Sequence, residues 1–441
     1  MTTLVLGREP TTVEALVSAA RSHGLDVTGV SSDADAITHL DSGQITTFVI
    51  GGGVEQQSRT PLKQHANASG VAVSEEPLAG RDVDSYVRQV LVPQVGTDAE
   101  PVQLFDVAAG FGPIRNLVAA ADPDVQWIGD RWWMFFGAAN VVAEGSSFAV
   151  NLFTASLPSG APLSSPDWTI TTTADQPHRA QPLVELPEQG RWDEWLHTPS
   201  YVYGPSARSV TGERGIETMR ERIYYTGSSG AEAGAEGRPY SIGVMERAGN
   251  TWVRRGEPVL RGTTATPCVF EPKVRFLEGK WRMWYLAAPK QAGPGELPEY
   301  RIEYVDSDDG LEWGPARETF PVTDNYFDAA VTPRHNGYDM IVARGPNLFA
   351  TPGFPSQGLW WLGARLPSSE RTAWTTDPVR ILDADQGQPW YTAGVFGPCA
   401  RYGDTEYDRD TLYVFFAGAA NPVPRPYVFS IGRLAISQPG E

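Results

Sequence analysis

The sequence predicts a small α/β domain, residues 1–96, followed by an all-β propeller of five blades, residues 101–437. Three observations carry this expectation. All 14 Trp lie after residue 100, whereas the stretch before it holds one Tyr (Tyr86) and one Phe (Phe48). The first hundred residues alternate short apolar runs with stretches of helical spacing, the pattern of a parallel sheet covered by helices. Beyond them a single motif recurs, and a repeat of this length marks one supersecondary unit copied around an axis.

In the first segment, Thr3–Gly7 reads as a strand. Thr11 with Glu14 three residues later reads as a capping box opening a helix, continued by Val13, Leu16, Val17 and Ala20. A strand over Asp26–Val30, a helix over Asp33–Leu40 and a strand over Thr46–Ile50 follow, the last running into Gly51-Gly52-Gly53. A polar helix over 55–69, a strand over Val71–Val73 and a helix over 82–92 complete the alternation.

In the propeller, an acidic residue precedes a Met by twelve positions three times: Asp122 and Met134, Glu271 and Met283, Asp328 and Met340. Gly397-Pro398 with Val414-Phe415-Phe416 is a further copy, and Thr198-Pro199 with Ile223-Tyr224-Tyr225 a diverged one. Each copy predicts an inner strand headed by the acidic or equivalent residue, then a hydrophobic second strand. Blade one continues through Trp132–Phe136, Phe148–Ala155 and Asp167–Thr172, and blade three through Trp281–Leu286, Tyr300–Ser307 and the segment after Trp313. Gly129-Asp130 and Leu277–Lys280 are hairpin signals. The polar stretch 206–222, with Arg208, Arg214, Arg220 and Arg222, reads as a solvated insertion in blade two.

Radial repetition brings distant residues together, because one register of successive inner strands converges on one end of the central channel. Asp122, Thr198, Glu271, Asp328 and Gly397 hold that register and predict an acidic funnel. The net charge of −18 argues against nucleic acid and anionic membranes as partners. No run of about eighteen apolar residues and no charged-then-apolar leader is present, so a cytoplasmic protein is expected. Cys268 and Cys399 read as two buried thiols. No metal-ligand spacing, dinucleotide fingerprint or nucleophile elbow occurs, and neither metal nor cofactor is expected.

The first segment looks like a response-regulator receiver or another flavodoxin-like domain, although the end of its third strand, Phe48-Val49-Ile50-Gly51, lacks the receiver's phosphoacceptor acid. It is read as a structural or dimerising module, a route to a homo-oligomer. The propeller resembles the five-bladed glycoside hydrolases: the arabinanase and xylosidase group (family 43) and, more distantly, the invertase group. The resemblance rests on Ala121-Asp122-Pro123-Asp124 and Phe270-Glu271-Pro272. It implies that Asp122 is the base or nucleophile and Glu271 the general acid. In that pattern a second-blade Asp orients the acid, but His197-Thr198-Pro199 stands here instead. Asp328 and Asp124 are candidates to supply the missing charge, Asp328 as a third catalytic acid. Asp124, His197 and Thr198 are candidates for substrate binding, and Trp127, Tyr201, Tyr326 and Trp390 for stacking on sugar faces.

Two carboxyls facing a glycosidic bond suffice for its cleavage. The implied substrate is a small glycoside or oligosaccharide. Two further readings stay open: a catalytically altered propeller that binds carbohydrate or a partner, and a non-hydrolytic enzyme such as a phosphorylase or lyase. Lys273, Arg275 and Arg344 are the cations a phosphorylase would need.

Overall fold

The computed structural model describes residues 2–22, 26–76, 78, 82–87, 91, 101–106, 111–141, 148–185, 190–205, 219–230, 239–375, 377–385, 387–405, 408–420 and 429–437. The protein divides into two compact units, one built mainly on residues 1–100 and the other on most of the remainder.

The first unit is a four-stranded parallel sheet of order β2-β1-β3-β4, with β1 Thr2–Leu6, β2 Val27–Val30, β3 Ile45–Gly51 and β4 Ala72–Glu76. Helices α1 (Pro10–Ser22), α2 (Asp33–Asp41) and α3 (Gln56–Ala68) connect the strands. Alternate residues serve opposite faces, as the pleat dictates. Leu4, Leu6, Phe48 and Ile50 pack with Leu40 and Leu62, while Val5 and Val49 pack with Leu16 and Ala20. Ser32 caps α2 by accepting the Asp35 amide. The expected capping box at Thr11 does not form: α1 starts at Pro10, which needs no amide partner there, and the Thr11 hydroxyl donates to Glu9. The sheet is small, with one strand fewer than the flavodoxin-like order 2-1-3-4-5. A flavodoxin-like or receiver-like domain is therefore not supported. The expected last helix is seen over Val83–Tyr86, and most of its remainder lies outside the described residues.

The second unit is a five-bladed propeller of four-stranded antiparallel sheets. Blade one comprises Leu117–Ile128, Arg131–Val141, Phe148–Ser156 and Thr169–Ile170; blade two comprises Trp195–Pro205, Met219–Ser228, Ser241–Ala248 and Thr251–Arg254. Blade three runs through Cys268–Leu277, Lys280–Ala288, Arg301–Ser307 and Arg317–Phe320, and blade four through Asp328–Arg334, Gly337–Ala343, Gly358–Ala364 and Val379–Asp383. Blade five has Gly394–Tyr402, Thr411–Ala419 and Phe429–Ser437, and is completed by Val102–Phe105 from the start of the propeller, which closes the disc. The innermost strands neighbour one another in an unbroken ring.

Aromatic packing welds the blades together. Tyr224, Trp281 and Met283 are buried between blades two and three, and Trp284, Tyr304 and Met340 between blades three and four. Burying each such side chain stabilises the fold by about 1.5–3 kcal/mol. The expected insertion is shorter than read: Arg220, Glu221 and Arg222 belong to a strand, and Arg222 is buried, paired with Glu246. Ladder pairing with Val202, Tyr203 and Gly204 on one side and Glu246 on the other draws this part of the stretch into the sheet, while 206–218 lies outside the described residues. Among the described residues no helix is long and apolar enough to cross a membrane.

Candidate active site

Three inner strands carry the same irregularity. In blade one Ala121 faces Gly137 and Asp124 faces Phe135, so Asp122 and Pro123 together oppose one residue. His197 to Ser200 in blade two and Phe270 to Lys273 in blade three repeat this two-against-one count. These are β-bulges whose first residue adopts the left-handed conformation normally reserved for Gly. Asp122, Thr198 and Glu271 have φ of +54°, +49° and +55°. Pro suits the second bulge position because it has no amide hydrogen to leave unpaired. Asp122 and Glu271 therefore lie within their strands, not at the heads expected from the sequence, since pairing continues on both sides of the bulge.

Each left-handed non-Gly residue costs about 1–3 kcal/mol, and such strain gathers where it serves function. Here it directs three side chains into one axial site. Blade five reaches the same conformation with Gly397 at φ +58°, and a Cβ there would lie 2.6 Å from Asp122 Oδ1. Asp328 arrives differently. It opens a strand whose ladder is regular from Asp328 opposite Ala343, and no Pro follows it.

Thr198 is the hub. Its Oγ1 lies 3.1 Å from Asp122 Oδ2, 2.6 Å from Glu271 Oε2 and 2.9 Å from His197 Nδ1. Asp328 Oδ2 accepts the Gly397 amide at 2.8 Å. Asp122, Thr198, Glu271 and Asp328 are all buried, while the His197 side chain is 22% exposed. Burial first, then the charges of Asp122 and Asp328, hold the Glu271 carboxyl well above the usual carboxylate range. Burial also pushes Asp328 up to about 7, against the opposing pull of Lys273 and the Gly397 amide. Desolvation lowers the His197 pKa, with Asp122 opposing.

The raised Glu271 carboxyl favours one arrangement of protons. One threonine hydroxyl carries one proton and cannot donate to two carboxylates. A protonated Glu271 donates to Thr198 Oγ1, leaving the threonine proton for Asp122. A neutral His197 that carries its proton on Nδ1 donates into the remaining lone pair. The result is a directional chain from Glu271 through Thr198 to Asp122.

Donor atoms of Asp122, His197 and Glu271 lie within 4.8 Å of one another, a set that a cation could use. Sequence spacing showed no such set because the three donors come from three blades. Cation binding would require Glu271 to ionise, so proton and metal compete for the same oxygens.

Two residues further along the inner strands, a second layer holds Asp124, Ser200, Lys273 and Cys399; two more bring Gln126, Arg275 and Arg401. Asp124, a candidate for substrate binding, is instead buried with Arg275 and Arg401 at 3.3 and 3.5 Å and accepts the Tyr201 amide at 2.6 Å. Burial alone would raise its pKa, but Arg275, then Arg401 and Lys273, hold it low. Lys273 is 1% exposed and its Nζ has no hydrogen-bond partner. Cys399 Sγ contacts Asp124 at 3.5 Å, and both cysteines are free and buried. The channel thus runs from acidic to basic along its axis. Alternation from Asp122 to Asp124 and from Glu271 to Lys273 and Arg275 was the available signal for these layers.

The proposed stacking aromatics do not surround the acids. Trp127 lies five residues past Asp122, about 16 Å along the strand, and is 46% exposed. Tyr201 is buried and stacks on Phe135. Tyr326 packs against Phe320 and Trp360. Trp390 stacks on Phe416 over Gly418 and Gly432. Packing between strands claims Tyr201, Tyr326 and Trp390, the last filling the slot above Gly418 and Gly432. Arg344 lies over the Trp360 ring. A cleft of about 850 Å³ opens beside Pro239, Cys268 and Glu296, but the carboxylates are not in its lining.

No family model and no curated protein matches this sequence. Solved structures do. One, a complex of BT0996 with RGII, shares 15% identity at a TM-score of 0.54, covering 78% of this protein and 93% of its own length. Another, described as a glycoside hydrolase, shares 15% identity at a TM-score of 0.52, covering 79% and 95%. At this identity the likeness establishes the propeller fold.

Proposed function

We propose that the propeller is a glycosidase-like enzyme acting on a small glycoside or oligosaccharide. The observation that carries this reading is the axial pair: Glu271, kept protonated by burial, and Asp122, joined through one buried hydroxyl. Glu271 is the general acid that protonates the departing oxygen. One oxygen of each lies within 4.8 Å of the other, close enough for both carboxyls to flank a single glycosidic bond. Asp122 is accordingly assigned as the base or nucleophile on the other side of that bond. Asp328 reinforces the proton on Glu271, and His197, the most exposed member, meets the substrate first. The fold's likeness to a glycoside hydrolase supports the reading.

The test uses aryl glycosides of graded leaving-group acidity. Glu271→Gln should lose activity on poor leaving groups and keep most of it on good ones, whereas Asp122→Asn should fail on all. Wild type no faster than Glu271→Gln on every sugar would sink the proposal. The burial of Asp122 and Glu271 against Thr198 favours one rival, a propeller that binds carbohydrate without cleaving it. Calorimetry would then show sugar binding indifferent to Asp122→Asn and no turnover.

The small α/β unit is proposed to be a structural module, since its third strand ends in Ile50-Gly51 without an acid.

A further inference from the structure

Trp127 and Tyr203 are 46% and 57% exposed, although the propeller buries most of its aromatic side chains. They end neighbouring inner strands, and both line one pocket of about 410 Å³ with Gln126, Glu221 and Arg275. That volume falls in the range of small-ligand sites, about 300–1,000 Å³. The pocket lies at the end of the inner strands remote from the carboxylates. We propose that it is a second saccharide site, distinct from the axial one, which takes a neutral sugar unit.

The chemistry of the lining selects the ligand. Exposed indole and phenol rings offer flat apolar faces that match the C–H faces of a pyranose or furanose, and each retains a polar edge. Gln126 and Glu221 provide amide and carboxylate groups of the kind that read hydroxyls. Gln126 is held in place by its amide, which donates to Asp124 and to the Tyr201 carbonyl. Glu221 is oriented by the Tyr201 hydroxyl at 2.8 Å and by Arg247. An acidic sugar would need a free cation, and Arg275 is not free. Its Nε donates to the Val331 carbonyl, Nη1 to the Val274 carbonyl and Nη2 to Asp124. With a carboxylate in the lining and this guanidinium committed, a neutral ring is favoured over an anionic one. The platform is also pre-formed: Trp127 packs edge-on against Trp132 at 5.5 Å, so little ordering remains to be done on binding.

The experiment is calorimetric titration of the full-length protein, wild type and Glu271→Gln, with xylotetraose, arabinotetraose, cellotetraose and, as the anionic comparator, tetragalacturonate. At least one neutral tetrasaccharide should bind both proteins. Trp127→Ala and Tyr203→Ala should each weaken that binding about tenfold and leave turnover of a monosaccharide aryl glycoside unchanged. Tyr203, the more exposed residue, serves where loss of Trp127 disturbs its contact with Trp132. The proposal is overturned if no neutral tetrasaccharide binds at millimolar concentration, if neither substitution weakens binding, or if tetragalacturonate binds best. An arginine-rich peptide binding there in place of sugar would also overturn it. Loss of aryl glycoside turnover in wild type would strike the axial reading alone.

Discussion

Replacing Thr198 by Val should destabilise the propeller more than any other single-atom change at the axial site. Val keeps the β-branched shape and the strain of φ +49°, so the substitution removes only the hydroxyl. Thr198 is 0% exposed and no bulk water can take the place of Oγ1. Asp122 Oδ2 and Glu271 Oε2 lose their bonds of 3.1 and 2.6 Å. A buried polar atom left unsatisfied costs about 1–3 kcal/mol, so two together should cost on the order of 2–6 kcal/mol. Thr198→Ser retains the hydroxyl and should lie close to wild type. Tryptophan fluorescence during urea unfolding is the assay, because every Trp lies after residue 100 and the signal reports the propeller alone. A Val variant within about 0.5 kcal/mol of wild type, or a Ser variant as unstable as Val, would refute the hub.

Three further outcomes follow from the same geometry. Asp328 has its pKa raised from 3.8 to about 7, so its neutral form is favoured in the fold; its stabilising effect is full below pH 3.8 and lost as pH rises through about 7. Asp328→Asn should flatten the decline of the unfolding midpoint across that window, and an unchanged slope would contradict it. Gly397→Ala places a Cβ 2.6 Å from Asp122 Oδ1 and 2.9 Å from its Cα at φ +58°, adding clash to the roughly 1–2 kcal/mol of the left-handed region. A thermal scan should show a clear loss, and an unchanged midpoint would count against the close approach. Arg275→Met breaks a buried pair with Asp124 and should cost about 3–5 kcal/mol at neutral pH. Because Asp124 has a lowered pKa, its contribution is present above its unfolded value and lost on acidification, so the deficit should shrink as pH falls; a pH-independent deficit would argue for packing alone.

The repeat was legible because its markers answer to different forces. Trp and Met recur where blades pack, and Pro recurs where an unpaired amide would otherwise be stranded. The convergence of Asp122, Thr198, Glu271, Asp328 and Gly397 followed from symmetry and is found in the structure. Aromatic placement was not legible. Tyr326 and Trp390 follow the same composition as a sugar platform, and whether an indole faces solvent or fills the slot above Gly418 and Gly432 is decided by strands far apart in sequence. Asp124 was misread for a related reason: its partners Arg275 and Arg401 lie 151 and 277 positions away.

Thr198 shows how the fold assigns chemistry by position. Read alone, it is a lost carboxylate. In the bulge it occupies the same strained backbone position as Asp122 and Glu271 on its two sides, so whatever side chain stands there is forced between them. A third carboxylate at this point would add charge to a site where burial already holds Glu271 protonated. A hydroxyl instead bridges the two acids without adding charge. Below it, the positive end of the channel, with Lys273 lacking a hydrogen-bond partner and Arg275 and Arg401 on Asp124, offsets the acidic layer. That offset lets three carboxyl groups remain buried together, and the bulges hold them there at a conformational cost that an ordinary strand would not bear.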